Sequence, residues 1–186
     1  MEKALTTKIR SLGYSSYEIK VMIYALKTIL YEASKFVILA LFFAWLQKFS
    51  EFLSAFVCLM AVRSRSGGIH LKHYWSCFLI TFLAFFSAVL LLPLFLHPTR
   101  LFMTAVLILC MITAYRTGPI PSVSRPKPDN IRLRSFRQQT AVIIGIFAVL
   151  VLLIGENPYI ESGFFMILFQ SAQLLIAKRI QGGDTL

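Results

Sequence analysis

The segment Tyr74–Leu96 has the sequence YWSCFLITFLAFFSAVLLLPLFL and contains no charged residue. A helix needs roughly 20 apolar residues to cross the hydrocarbon core of a bilayer, and only this run reaches that length by itself. It predicts a transmembrane helix. The other apolar runs are shorter, and each can cross only if flanking residues extend the helix and bring their polar groups to the interface. They are Phe36–Leu46, Phe52–Val62, Leu101–Tyr115, Ala141–Ile154 and Gly163–Ala177.

The composition of the whole chain is typical of a protein surrounded by lipid. Of 186 residues, 58% are apolar and 15% are charged, and the mean hydropathy is +0.74. A soluble domain carries about a quarter charged residues and roughly 45–50% apolar ones. In water this chain would expose large apolar patches. We therefore predict an all-α, polytopic membrane protein with one membrane-embedded domain over 1–186 and about six transmembrane helices.

The basic residues predict the orientation of these helices. With a cytoplasmic N-terminus, the inner connections hold Arg63, Arg65, Lys72, Arg116, Arg125, Lys127, Arg132, Arg134, Arg137, Lys178 and Arg179. The outer connections hold Lys48, Glu51, His97, Arg100, Glu156 and Glu161. This bias follows the positive-inside rule and explains the net charge of +11 without a nucleic-acid partner. We predict six crossings, both termini in the cytoplasm, a bundle over 33–178 and a tail over 179–186.

Two segments have more than one interpretation. Residues 1–32 form an amphipathic N-terminal region, because apolar side chains in Glu18–Tyr31 recur every three or four residues with charged ones between them. That helix can lie in the membrane interface, or it can be the early start of a long first membrane helix. Phe52–Val62 is the weakest span, and a re-entrant or strongly tilted piece is the alternative.

The segment Arg63–Cys77, RSRSGGIHLKHYWSC, contains two of the three histidines and one of the three cysteines. A cysteine nucleophile needs a nearby imidazole to take its proton, and a helix N-terminus favours the thiolate. Gly67 and Gly68 would offer backbone N–H groups to a carbonyl oxygen. The alternative is that Cys77 is a small buried residue under a basic loop.

Helix geometry bears on which histidine would act as the base. Positions four apart on a helix are neighbours, as His73 and Cys77 are in sequence. His70 and Cys77 share a face, but seven residues at ~1.5 Å rise separate them by ~10 Å along the axis. Spacing alone therefore favours His73, unless the chain around His70 departs from a straight helix. The third histidine, His97, is predicted on the opposite side of the membrane.

Other polar residues have more ordinary interpretations. Cys58 and Cys110 lie inside apolar runs, where cysteines usually pack. No CxxC or HExxH pattern occurs, so we expect no metal site and no cofactor. Glu32 or Asp129 could orient a base, although such a carboxylate more often pairs with an arginine. The amides and hydroxyl in the last apolar run are expected to hydrogen-bond between helices; they are Gln170, Ser171 and Gln173.

The stretch Arg116–Gln139 is the one long polar connection. Its prolines, at 119, 121, 126 and 128, oppose a helix in its first half. Its basic residues, Lys127 among them, indicate a contact with anionic lipid or with an acidic substrate.

The order Arg63, Gly67-Gly68-x-His70 and, after six intervening residues, Cys77 at a helix entrance resembles the accessory gene regulator protein B (AgrB) family. The loop Pro119–Pro128, the basic connections, the chain length and the amphipathic N-terminal region resemble that family too. Its members are membrane cysteine endopeptidases that process the quorum-sensing propeptide AgrD. The resemblance implies that Cys77 is the nucleophile and His70 the general base, and it assigns no role to His73.

The resemblance also implies the reaction and the setting. Cys77 would attack the propeptide, release its C-terminal tail and hold the rest as a thioester, which an internal Cys or Ser converts into a thiolactone or lactone. Candidate substrate-binding residues are Arg63, Gly67, Gly68 and Lys127. The expected location is the bacterial cell membrane, with the propeptide and lipids as partners and a homodimer as a further possibility. A small transporter and a non-catalytic peptide-binding scaffold are the alternatives, although the spans contain almost no ionisable residues for transport.

Overall fold

The computed structural model describes residues 15–68, 73–120 and 129–183. Within those residues the structure contains helices and no strand, which confirms the all-α prediction. They are α1 (Ser16–Trp45), α2 (Phe49–Ser66), α3 (Tyr74–Phe95, with a π-helical part Ser87–Leu91), α4 (Arg100–Thr117), α5 (Asn130–Ile154) and α6 (Pro158–Gly183). Each apolar run of the sequence falls on one of these helices to within one residue.

Four helices in the described part of the chain are long and apolar enough to cross a membrane. They are Tyr74–Phe95, Arg100–Thr117, Asn130–Ile154 and Pro158–Ile180. The sequence predicts about six crossings, so the remaining two would have to come from α1 and α2. Charged residues lower the mean hydropathy of both helices. Glu32 and Lys35 lie in α1, whereas Glu51, Arg63 and Arg65 lie in α2.

The chain divides into two compact units, Met1–Phe42 and Phe43–Leu186. Within the first unit, α1 is one continuous helix from Ser16 through the first apolar run, which favours the long first helix that begins early. Its start is a capping box: the Ser15 Oγ and backbone N–H both donate to Glu18 Oε2, at 2.7 and 2.8 Å, and Glu18 N–H donates to Ser15 Oγ. These bonds, above all that from the Ser15 hydroxyl, lower the pKa of Glu18.

The second unit is built around α6. In its span 67% of the residues are buried, against 17–22% in the spans of α3, α4 and α5. The largest helix–helix interface is that between α2 and α6. The buried face of α2 follows the helical period and consists of Phe52, Ala55, Leu59, Val62 and Ser66. The outer faces carry exposed large apolar side chains such as Leu101 and Leu153, as expected for surfaces that face lipid.

Small side chains let the helices approach α6 closely. A Cβ added at Gly163 would stand 2.8 Å from Cζ of Phe147 on α5 and 2.9 Å from Sγ of Cys58 on α2. Cys58 thus packs at the centre of this contact, and Cys110 on α4 is buried. Both agree with the packing roles that the sequence predicts.

Candidate active site at the end of α2

The C-terminus of α2 turns sharply at Gly67. The backbone there has φ 71° and ψ −151°, a region that essentially only glycine occupies. The Gly67 N–H donates to Arg63 O at 3.0 Å and closes the last turn of the helix. We name Ser66, Gly67 and Gly68 the glycine corner.

A second loop crosses the glycine corner. Ile120, just after α4, forms an isolated parallel bridge with Gly67, and its N–H donates to Ser66 O at 3.0 Å. A Cβ at Gly67 would overlap the Ile120 carbonyl oxygen, so the approach of the two backbones requires glycine. Arg137 of α5 fixes the same loop, since its Nε donates to Gly118 O at 2.6 Å.

Two glutamines of α6 bond to the end of α2, one to the glycine corner and one to Arg63. Gln170 is 1% exposed, and its Nε2 donates to Gly67 O at 2.8 Å and to Ser66 Oγ at 3.1 Å. Gln173 accepts at Oε1 from Nη1 of Arg63 at 3.3 Å. The structure therefore brings three of the predicted site residues, Arg63, Gly67 and Gly68, together against α6.

One expectation about the glycines needs correction. The sequence suggested that both Gly67 and Gly68 would present N–H groups to a substrate carbonyl. The Gly67 N–H is already bonded to Arg63 O, because it caps α2. Of the two, the Gly68 N–H is the one that donates to no acceptor within the described residues, and Gly68 itself is buried.

The third helix begins where the sequence predicts it. Tyr74 is its first residue, and His73 is the N-cap residue, with an extended backbone at φ −98° and ψ 132°. Because His73 precedes the helix, the i, i+4 geometry that favoured it over His70 does not hold for its side chain, which is exposed. His70 itself lies outside the described residues.

Cys77 lies in the first turn of α3 and is half-buried. Its N–H makes the first bond of the helix, to His73 O at 3.2 Å, and its carbonyl accepts from Thr81 Oγ1 at 2.8 Å. The N–H groups of the three preceding residues have no intrahelical acceptor, as at any helix N-terminus. No acidic residue occurs in this turn, so the end of α3 is a favourable place for an anion.

Comparison with known proteins identifies the family. A family model described as accessory gene regulator B matches residues 3–174. The chain belongs to the AgrB family. A protein of Clostridium beijerinckii named AgrB-like is 32% identical over 111 residues, which are 60% of this chain and 56% of the relative. The match thus spans little more than half the length of that curated relative. No solved structure matches the chain.

Membership confirms the resemblance read from Arg63–Cys77 and makes the chain a membrane protein of a quorum-sensing family. Of the residues that the AgrB resemblance singles out, Arg63, Gly67 and Gly68 meet at the corner and Cys77 lies on the neighbouring helix α3. His70 and Lys127 lie outside the described residues. Among the described residues, no group of three or more His, Cys, Asp and Glu side chains is placed to hold a metal ion.

Of the two carboxylates considered as orienting groups, Glu32 has an ion-pair partner of its own. Glu32 pairs with Lys35, one turn later in α1, at 2.6 Å. Asp129 occupies the N-cap position of α5. His97 lies 4.0 Å from Glu161 at the start of α6, nine residues or about 13 Å along the helix from Gln170. His97 is therefore at the other end of α6 from Gln170, and its place on the opposite side of the membrane stays a prediction.

Gln170 was not recognised from the sequence as part of the site. Interhelical hydrogen bonds were predicted for Gln170 and Gln173, and both residues form them. The pattern did not indicate that the bond from Gln170 reaches the backbone of the glycine corner. The available signal was the presence of two amides, three residues apart and so on one face, within an otherwise apolar span.

Proposed function

We propose that this AgrB-family chain is a cysteine endopeptidase of the bacterial cell membrane that processes an AgrD-type propeptide, with Cys77 as nucleophile and His70 as general base. The observation that carries the proposal is the start of α3. Because the helix begins at Tyr74, the ~10 Å separation of His70 and Cys77 on a straight helix does not apply.

The proposed reaction proceeds by two acyl transfers. His70 takes the thiol proton, and the Cys77 sulfur attacks the carbonyl carbon of the scissile peptide bond. The tetrahedral intermediate collapses, the C–N bond breaks, and His70 returns the proton to the leaving amine of the C-terminal tail. The rest of the propeptide stays as a thioester on Cys77.

The second transfer releases the product. A Cys or Ser side chain within the propeptide gives its proton to His70 and attacks the thioester carbonyl. The new thioester or ester closes the ring, and the Cys77 sulfur leaves and recovers the proton. No ATP is needed, because the thioester keeps the acyl group activated, and a site poor in water limits competing hydrolysis.

The substrate contacts in this proposal are Arg63, Gly67, Gly68 and Lys127. The Gly68 N–H supports the oxyanion of the tetrahedral intermediate. The basic segment that contains Lys127 and Arg132 attracts the acidic propeptide tail, anionic lipid being the competing partner. A homodimer stays a prediction.

We further propose six crossings with both termini in the cytoplasm, the additional two being the apolar half of α1 and α2. The charges of α2 lie at its ends: Glu51 pairs with Lys48 at 2.8 Å, and Arg63 bonds to Gln173. Two contacts support this arrangement of the connections. Ser54 Oγ donates to Tyr159 O near one end of α2, and the basic connections meet at the glycine corner at the other.

Replacement of Cys77 tests the function. Full-length protein in membrane vesicles is mixed with an AgrD-type propeptide, and the products are measured by mass spectrometry. We expect Cys77→Ala to release no tail and form no ring, whereas the matched variant Cys58→Ala keeps activity because Cys58 only packs. A scaffold or a transporter would be indifferent to Cys77→Ala, so continued processing in that variant would refute the protease.

Labelling of introduced cysteines tests the topology. Single cysteines between Glu156 and Glu161 are exposed to a membrane-impermeant thiol reagent in intact cells. The proposal expects labelling from outside the cell. Labelling only after the cells are opened would mean that the orientation is the opposite of the proposed one and that the glycine corner does not face the cytoplasm.

A further inference from the structure

The Gln170 side chain contains a buried acceptor that the steps above do not use. Its Oε1 is buried and has no hydrogen-bond partner within the described residues. The assignment of the amide atoms is fixed, because the atom that contacts Gly67 O must be a donor and hence the nitrogen. An unpaired buried acceptor costs roughly 1–3 kcal/mol. The two hydrogen bonds that Nε2 donates, each worth about 0.5–1.5 kcal/mol, offset that cost, so the glutamine brings little net stability to the bundle.

The bond from Gln170 acts on a particular peptide unit. The Gly67 carbonyl and the Gly68 N–H belong to the same peptide group. When Nε2 donates to that carbonyl, it polarises the group and makes the Gly68 N–H a stronger donor. This is the N–H that has no acceptor within the described residues.

The same bond fixes the direction of that peptide group. Ile120 N–H holds Ser66 O on one side, and the Gly67 N–H is bonded to Arg63 O. A Cβ at Gly68 would lie 3.5 Å from Gln170 Nε2 and 3.7 Å from Arg63 Cζ, so this side of the chain is closed by two side chains. Because the Gly68 N–H is already held in one direction, the site needs no reorganisation when negative charge develops on an oxygen that faces this N–H.

We propose that Gln170 is a positioning residue for acyl transfer: it orients and polarises the Gly67–Gly68 peptide so that the Gly68 N–H donates to the oxyanion formed at the scissile carbonyl. This role rests on the proposed cysteine-protease function. The competing explanation is a structural tether, in which Gln170 only joins α2 to α6. The two explanations differ in what the loss of the amide changes.

The test replaces the amide with a side chain of similar length in Gln170→Met. The full-length protein in vesicles is assayed for kcat and KM of propeptide processing, for the rate at which iodoacetamide alkylates Cys77, and for Tm. We expect kcat to fall about 10-fold or more, with KM, the alkylation rate and Tm unchanged. Ser162→Ala removes a buried side-chain hydrogen bond at the other end of the same helix, from Ser162 Oγ to Pro158 O at 2.7 Å, and should keep kcat within about 2-fold of the unmodified protein.

A second variant covers a failure of Gln170→Met to fold. Gln170→Asn stays polar but withdraws the amide by one methylene, so kcat should fall there too. Unchanged kcat in both variants would overturn the positioning role. So would a fall in kcat that is accompanied by a lower Tm and a changed alkylation rate, because those changes would indicate a loss of structure. Cys77→Ala separates the two proposals: if that variant still processes propeptide, the protease assignment fails and the role of Gln170 fails with it. If Cys77→Ala is inactive and Gln170→Met is fully active, only the role of Gln170 is wrong.

Discussion

Helices α2 and α5 end in the same way, at Gly67 and Gly155. Both glycines have a positive φ, 71° and 81°, and a ψ near −150° to −160°. Both donate their N–H to the carbonyl four residues earlier, at 3.0 and 3.1 Å. Their surroundings differ. A Cβ at Gly155 would meet nothing within 4 Å, whereas a Cβ at Gly67 would overlap the Ile120 carbonyl oxygen.

The difference separates two reasons for a glycine at the end of a helix. At Gly155 the backbone conformation alone requires it. At Gly67 the loop after α4 crosses the chain, and Gln170 of α6 donates a hydrogen bond to the Gly67 carbonyl. The second end is therefore a junction of three elements, and three of the residues predicted to bind substrate, Arg63, Gly67 and Gly68, lie in it.

The largest expected effect comes from alanine at these two glycines. Each variant has the same backbone strain, on the order of 1–3 kcal/mol, so that term cancels in the comparison. Gly67→Ala also displaces the Ile120 loop, and we expect propeptide processing to fall by at least about 100-fold. Gly155→Ala should process propeptide at nearly the normal rate. Protein level in the membrane and resistance to trypsin serve as controls for folding, and equal processing in the two variants would remove the special role of the corner.

A second pair extends the comparison to the interior of the helices. A Cβ at Gly163 would crowd Phe147 and Cys58, whereas a Cβ at Gly145 would lie 3.7 Å from Met111 Sδ, an ordinary contact. Gly163→Ala should lower the free energy of unfolding by about 1–3 kcal/mol. Gly145→Ala should leave it unchanged or raise it by up to about 1 kcal/mol, since alanine favours a helix. Thermal unfolding in detergent measures both, and no difference between them would mean that α6 is not closely packed at Gly163.

The smallest expected effect concerns charge near the loop that crosses Gly67. Lys127→Glu and Arg132→Glu should weaken processing a few-fold if this segment receives an acidic propeptide tail. The loss should shrink at high salt, because charges on a solvated loop are screened beyond about 8 Å at physiological ionic strength. Arg100→Glu, on the predicted outer side near Gly155, is the control and should have no effect. Unchanged processing with normal insertion would leave the basic segment a lipid anchor.

Much of the fold follows from periodicity and apolar length. The six apolar runs coincide with helices, and the start of α3 follows from the change from a polar, glycine-containing segment to an uninterrupted apolar one. The interface helix and the first span could not be separated from the sequence, because Glu18–Tyr31 and the following apolar run share one helical period. The count of crossings is harder to predict, since α2 is apolar only between its charged ends.

The candidate site was predicted less completely. Local sequence placed Arg63, Gly67, Gly68 and Cys77 near one another along the chain. Ile120 of the loop after α4 and Gln170 of α6 contact the end of α2, and Arg137 of α5 contacts that loop. No local sequence pattern indicates such distant pairings. Helical spacing also favoured His73, because that argument assumed a helix that extends back past Tyr74.

The most direct test of the central claim is to trap the acyl-enzyme and ask which histidine it requires. Protein and propeptide are mixed for a single turnover, quenched in acid and analysed by mass spectrometry for a hydroxylamine-sensitive adduct on Cys77. We predict the adduct in the unmodified protein and in His73→Ala, and its absence in His70→Ala. An adduct that forms in His70→Ala but not in His73→Ala would contradict the assignment of the base, and an adduct on another residue would contradict the assignment of the nucleophile.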